Sequence, residues 1–289
     1  MLDQATSAAR ATSWSLPDRE LDLTAPIGAG IVNVTADSFF EGARSGTPER
    51  AIADGVRLAR AGFELLDVGA VAARSGPPVA AAEEAARLVP AVAGLAAATG
   101  LPISADTFSP EVARRAVEAG ASIVNDIGGG EPALLAAVAE SGAAYVLMHI
   151  EGPPRVDREL PAYDDPVAYL SHWFGERIKA AVAAGIDERR IAIDPGLDFD
   201  LSVEDDIEIL RRLGELHALG RPIFLSLSRK DFLGAILAGS WEERTGAADR
   251  EWATCAAAAL AVTAGAQVLR LHDASALDAV RVAGRIAHG

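Results

Sequence analysis

From Ile27 onward the chain alternates between short apolar, β-branched runs that end in polar residues and longer Ala-, Leu-, Glu- and Arg-rich stretches. The short runs predict buried strands and the longer stretches predict helices. The strands read as 28–34, 64–68, 102–105, 122–125, 144–148, 190–193, 222–226 and 267–271. The helices read as about 48–62, 79–98, 109–119, 131–140, 165–184, 203–219, 249–265 and 274–287. Thr47-Pro48-Glu49 and Ser109-Pro110-Glu111 each place a capping hydroxyl before a proline at the first helical position. Several of the helices end on glycine, among them Gly62, Gly100, Gly142, Gly220 and Gly265.

Eight strands alternating with eight helices predict a parallel sheet. At this length, closure into a (β/α)8 TIM barrel is preferred to a doubly wound open sheet. No shift in composition marks a second domain, so 26–289 reads as one barrel. Residues 1–25 are polar and irregular and read as a short N-terminal arm, with a possible hairpin around Pro17-Asp18. The longest irregular segments are 36–47, 70–78, 149–164 and 231–248. The first three follow strands, on the side of a barrel where chemistry usually gathers.

Composition narrows the function classes. Half of the 289 residues are hydrophobic, enough for a large core, and the formal net charge is −15. That charge argues against a nucleic-acid partner or an anionic membrane, which both need an electropositive face. It leaves room for a small anionic substrate met by a few local cations. The single Cys255 excludes an internal disulfide, and its place in an Ala-rich run suggests a buried, inert thiol. With no signal-peptide pattern and no apolar run of spanning length, a cytoplasmic protein is expected.

The residues at the strand ends carry the candidate chemistry. In order they are Asn33, Thr35, Asp37 and Ser38; Asp67 with Arg74 beyond it; Asp106 and Thr107; Asn125 and Asp126; Met148 and His149; Asp194; Ser226, Ser228, Arg229 and Lys230; and Arg270, His272 and Asp273. Asp106, Asn125, Asp194 and Lys230 suit a flat heterocycle with ring N–H donors and carbonyl acceptors, because a carboxylate can accept two parallel N–H bonds. Asn33, Arg74, Arg270 and His272 come from strands that become neighbours when the barrel closes. They suit a phosphate or diphosphate, with a divalent cation that keeps most of its water. Against this stands plain capping, which suits Asp126 and Asp273, and a paired structural carboxylate, which suits Asp67. Capping explains single aspartates but not a lysine in the same set.

These residues fall into motifs. Gly30-Ile-Val-Asn-Val-Thr-Ala-Asp-Ser-Phe39, Ala105-Asp106-Thr107, Val124-Asn125-Asp126-Ile127, Met148-His149, Asp194-Pro195-Gly196, Ser228-Arg229-Lys230 and Arg270-Leu271-His272-Asp273 follow one another at strand ends. In kind and order they resemble the motifs of the dihydropteroate synthase family. The resemblance implies a (β/α)8 barrel that condenses 6-hydroxymethyl-7,8-dihydropterin diphosphate with 4-aminobenzoate, using Mg²⁺, and that forms a homodimer through its late helices. It implies Asp106, Lys230, Arg270 and His272 as catalytic residues. Asn125, Asp194 and Met148 would hold the pterin. Arg74 would help hold the diphosphate, and Asn33 would reach the metal. Phe39 and Lys230 would help form the aminobenzoate site, and Thr35 and Ser228 would complete the substrate-binding set.

Four stretches depart from the family pattern. Its first loop has here Ala36 in place of proline and Phe40-Glu41 in place of Ser-Asp. Its second loop, roughly Gly-Gly-Glu-Ser-Thr-Arg-Pro-Gly, is here Gly69-Ala-Val-Ala-Ala-Arg74-Ser-Gly76. Its sixth loop, roughly Gly-Phe-Gly-Phe-Gly-Lys-Asn, is here Gly196-Leu-Asp198-Phe-Asp200, which lacks the lysine and gains two carboxylates. Asp231 follows Lys230 where many members have serine, and would oppose the aminobenzoate carboxylate unless it points away. These departures keep open a synthase-like pterin binder with another amine substrate or none. A methyltetrahydrofolate-dependent methyltransferase is less compatible, because methyl transfer needs no diphosphate pocket.

Overall fold

The structure is a computed structural model that describes residues 10–34, 46–72, 76–156 and 158–288. Strands β1 (Ser13–Ser15) and β2 (Glu20–Asp22) pair antiparallel as a hairpin. Then follow β3 (Ile27–Asn33), α1 (Pro48–Ala61), β4 (Leu65–Gly69), α2 (Ala81–Thr99), β5 (Ile103–Asp106), α3 (Pro110–Glu118), β6 (Ile123–Asp126), α4 (Pro132–Ser141) and β7 (Ala144–Met148). The rest is α5 (Pro166–Ala183), β8 (Ile191–Asp194), α6 (Val203–Arg211), β9 (Phe224–Ser226), α7 (Asp231–Ala238), α8 (Glu251–Thr263), β10 (Val268–Leu271) and α9 (Ala274–His288).

Strands β3 to β10 form one parallel sheet in the order β8-β7-β6-β5-β4-β3-β10-β9. The parallel bridge between Ile193 and Ile223 joins its two edges and closes the barrel. Two helices differ from the sequence expectation. Asp231–Ala238 lies in the stretch read as irregular, yet it forms α7 and ends on Gly239 in the left-handed conformation. Its mostly apolar run, Phe-Leu-Gly-Ala-Ile-Leu-Ala, is too short to show a helical period. The long helix expected over 203–219 instead ends at Arg211 and continues as 3₁₀ turns from Leu213 to Leu219.

The period of two along each strand sorts the core. One parity, including Leu66, Val68, Val124, Leu147, Ile193, Leu225 and Leu269, packs against the helices. The other parity points inward. At the bottom of the barrel Ile27, Ala29, Leu65, Ile123, Ala144, Val146, Ala192, Phe224 and Val268 form a separate apolar cluster with Trp14 and Leu23. Trp14 is completely buried, meets Phe224 edge-on at 6.5 Å between ring centres, and donates its Nε1–H to Arg190 O at 2.8 Å. The hairpin therefore plugs the end of the barrel away from the site. Among the described residues no helix is long and apolar enough to cross a membrane.

Candidate active site

The inward parity that is apolar at the bottom turns polar at the top. Two residues on from Ile31, Leu65, Ile123, Ala192, Phe224 and Val268 come Asn33, Asp67, Asn125, Asp194, Ser226 and Arg270, with Asp106 above Ser104 on β5. Strand geometry alone thus gathers one amide or charged group from nearly every strand at one mouth.

Arg270 stands at the centre. Its Nε donates to Asp67 Oδ2 at 2.5 Å and its terminal nitrogen donates to Asp106 Oδ2 at 2.7 Å. Asn125 Nδ2 donates to both oxygens of Asp67, at 3.3 and 3.4 Å. By sequence Arg270 falls with the anion-facing set, but its own hydrogen bonds run to the carboxylates. Burial pushes the Asp106 carboxyl up to about 7; Arg270 pulls it back, while Asp67, Glu84 and Asp126 push the same way as burial. Asp67 is both the paired structural carboxylate that sequence suggested and the group that orients Arg270.

Asp194 is buried and accepts from the Gly196 N–H at 2.9 Å. Burial raises its carboxyl to about 6, against the opposing pull of Lys230. Met148, at the end of β7, forms an apolar floor with Ile127 and Ile150, flanked by Phe108 and Phe199. The Lys230 ammonium donates to Leu197 O and stands 4.7 Å from the centre of the Phe199 ring.

The far side is held by β9 and β10. Ser228 Oγ lies 2.8 Å from His272 Nδ1 and also accepts the His272 backbone N–H at 3.2 Å. Burial, with the positive charges of Arg270 and Arg229, lowers the His272 imidazolium pKa to about 3, so the ring is neutral at ordinary pH. Arg229, in the left-handed conformation, turns away from the mouth and pairs with Asp273 at 2.8 Å. Asp273, read as a candidate helix cap, thus uses its carboxylate to anchor Arg229. Asp126 accepts from the N–H groups of Gly128 and Gly130 and from the Tyr145 hydroxyl, which marks it as an anchor of the turn after β6.

The unusual carboxylates are all committed to the scaffold. Asp231 accepts from Arg250 at 2.7 Å, with Arg244 3.4 Å away, and so points away from the mouth. Asp200 accepts from the Glu151 N–H at 2.9 Å and from Arg158 at 2.7 Å, tying the loop after β8 to the loop after β7. Those two loops and Trp241 border a cleft of about 340 Å³.

Two residues of the site escape sequence reading. Phe199 lies in a loop notable mainly for its aspartates, and nothing in sequence says that its ring meets Lys230. Glu84, in the first turn of α2, is buried and accepts from the Thr107 hydroxyl at 2.5 Å beside Asp106. Asn33, Asp106, Asn125, Met148, Asp194, Ser228, Lys230, Arg270 and His272 all lie at the top of the strands or on the loops just beyond. Thr35, Phe39 and Arg74 lie outside the described residues, as do Asp37 and Ser38.

Comparison with known proteins places this geometry. The model of the pterin binding enzyme family matches residues 29–272. Dihydropteroate synthase of Escherichia coli strain K12 is 36% identical over 265 residues, covering 91% of this chain and 92% of that protein. The chain belongs to the dihydropteroate synthase family. Among solved structures, the dihydropteroate synthase of Xanthomonas albilineans with 4-aminobenzoic acid superposes with a TM-score of 0.84 at 41% identity, over 96% of this chain and 98% of that one. The same enzyme in complex with 7,8-dihydropteroate gives a TM-score of 0.82 at 41% identity, over 95% and 98%. The (β/α)8 barrel and the resemblance drawn from the strand-end motifs therefore stand. The family's dihydropteroate synthases set the frame in which Asp67, Arg270 and Asp106 are to be read.

Proposed function

We propose that this protein is a working dihydropteroate synthase that joins 6-hydroxymethyl-7,8-dihydropterin diphosphate to 4-aminobenzoate. The observation that carries the reading is the Asp67–Arg270–Asp106 bridge, set among Asn125, Asp194 and Lys230 above the Met148 floor. Asp106, Asp194 and Asn125 offer acceptors to the ring N–H groups, Lys230 offers a donor to the ring carbonyl, and Met148 packs beneath the ring. Arg270, held flat by two carboxylates, faces the pterin and, with Asn33, Arg74 and His272, meets the diphosphate. The C–O bond to diphosphate breaks and the leaving group keeps the electron pair. The aromatic amine then attacks the methylene carbon and loses a proton as the C–N bond forms.

Mg²⁺ fits this arrangement as a guest of the substrate. Among the described residues no group of three or more His, Cys, Asp or Glu could hold a metal alone. Asn33 supplies one inward amide at the top of β3, and Mg²⁺ commonly takes one or two protein oxygens together with substrate phosphates. The ion would neutralise charge developing on the leaving diphosphate. We further propose a homodimer through α8 and α9, where Trp252 is 82% exposed and Leu260, Val282 and Ile286 are also uncovered. We propose a cytoplasmic location with this reading.

The test is a product assay with pterin diphosphate, Mg²⁺ and 4-aminobenzoate, run beside calorimetry with the pterin alone. Product formation is expected. Val71 and Ala72, in place of the family's Glu and Ser, favour the second reading, a pterin binder with another amine or none. Pterin binding without product would select it, and no pterin binding would overturn both.

A further inference from the structure

The loop after β8 meets the start of α7 through three consecutive residues. Leu197 O accepts from the Lys230 ammonium. Asp198 accepts the Asp231 N–H at 2.5 Å on Oδ2 and the Phe232 N–H at 2.9 Å on Oδ1. The Phe199 ring lies under the Lys230 ammonium at 4.7 Å. Lys230 itself occupies the N-cap position of α7, and its side chain does not cap the helix. Asp198 supplies the missing cap from another loop, satisfying two amides that a helix start leaves open and setting a negative charge at the positive end of the helix.

Asp198 is built for this. Its backbone is left-handed at φ 68, a conformation that Asp tolerates better than most side chains. The family pattern has glycine here, which would keep the backbone but bring no carboxylate. The Asp198 N–H donates to both Asp206 oxygens, at 3.1 and 3.2 Å, and Asp198 is only 6% exposed.

We propose that Asp198 is a positioning residue for Lys230: its carboxylate clamps the first two amides of α7 and so holds the ammonium over Phe199 at the rim of the barrel. The clamp belongs to this chain's own variant of the loop. It gives the departure from glycine a role in substrate binding without any contact to substrate.

The chain contains only two lysines, Lys179 and Lys230, which makes a direct test possible. Protein labelled with ¹³C at the lysine ε-carbon should give two resolved signals. The Lys179 side chain is 75% exposed and serves as the internal reference. The Lys230 signal should be shifted by the Phe199 ring, and Phe199→Leu should remove that shift. Asp198→Gly should move the Lys230 signal at least halfway toward that of Lys179, and Asp198→Asn, which offers a single acceptor oxygen, should fall between. In turnover, Asp198→Gly should raise the KM for the pterin diphosphate about tenfold with kcat within about threefold, and Asp198→Asn should recover part of the loss. A wild-type Lys230 signal in Asp198→Gly would overturn the proposal. Should that variant fail to fold, a wild-type signal in Asp198→Asn would overturn it equally. The kinetic arm rests on the synthase reading and the spectra do not. A wild-type protein that makes no dihydropteroate would overturn that reading and leave the spectra to decide the clamp.

Discussion

Arg270 and Asp106 meet across the barrel mouth, 2.7 Å apart, although 164 positions separate them in the chain. The contact does two things. It draws the Asp106 carboxyl below the value that burial alone would impose, and it spends one edge of the guanidinium on orientation while Asp67 takes Nε. A flat cation held by two carboxylates is a preorganised surface rather than a mobile side chain.

That relationship predicts the effect of neutralising Asp106. Asp106→Asn keeps the size and loses the charge, so pterin affinity should fall by about 1.5–3 kcal/mol, roughly ten- to a hundredfold. Lys230→Ala should do at least as much. Calorimetry with the pterin alone checks both, and wild-type affinity in either variant would refute the pocket assignment.

Asp194 predicts a pH effect with a definite sign. Its folded pKa of about 6 lies above the ordinary carboxylate value of 3.8, because burial penalises the charged form. The stability it contributes is therefore complete below about pH 4 and is lost as pH rises through about 6. Asp194→Asn mimics the protonated form without that loss. The thermal midpoint of wild type relative to this variant should drop between pH 4 and 7. A gap that does not change with pH, or one that widens in favour of wild type, would contradict the assignment.

His272 should not titrate in the physiological range. Its pKa near 3 comes from burial beside Arg270 and Arg229. Its imidazole proton resonance should stay constant from pH 4.5 to pH 8. A midpoint near the ordinary value of 6.5 would mean that the ring meets solvent or a carboxylate instead.

Trp14 separates stability from binding. Trp14→Ala empties the plug at the closed end of the barrel and should cost about 3–5 kcal/mol in urea unfolding. Pterin affinity in the protein that remains folded should match wild type, because the hairpin lies at the opposite end from the site. A large loss of affinity in folded protein would show that the two ends are coupled.

The sequence by itself determined the barrel and the rim. Alternating apolar runs and Gly-terminated helices specify strands and helices through local periodicity, and a period of two places Asn33, Asp106, Asn125, Asp194 and Arg270 at strand tops. The motifs there were also enough to point to the family. Tertiary structure decided the partners. That Arg270 turns toward Asp67 and Asp106, that Asp231 faces Arg250, and that Asp198 caps a helix more than thirty residues away all depend on which loops meet in space. Hydrogen bonds between distant loops leave no period in the chain. The apolar run of α7 is too short to show one, so it reads as irregular until Asp198 is seen to cap it. The identity of the site was therefore local information, and the orientation of its charges came only with closure of the barrel.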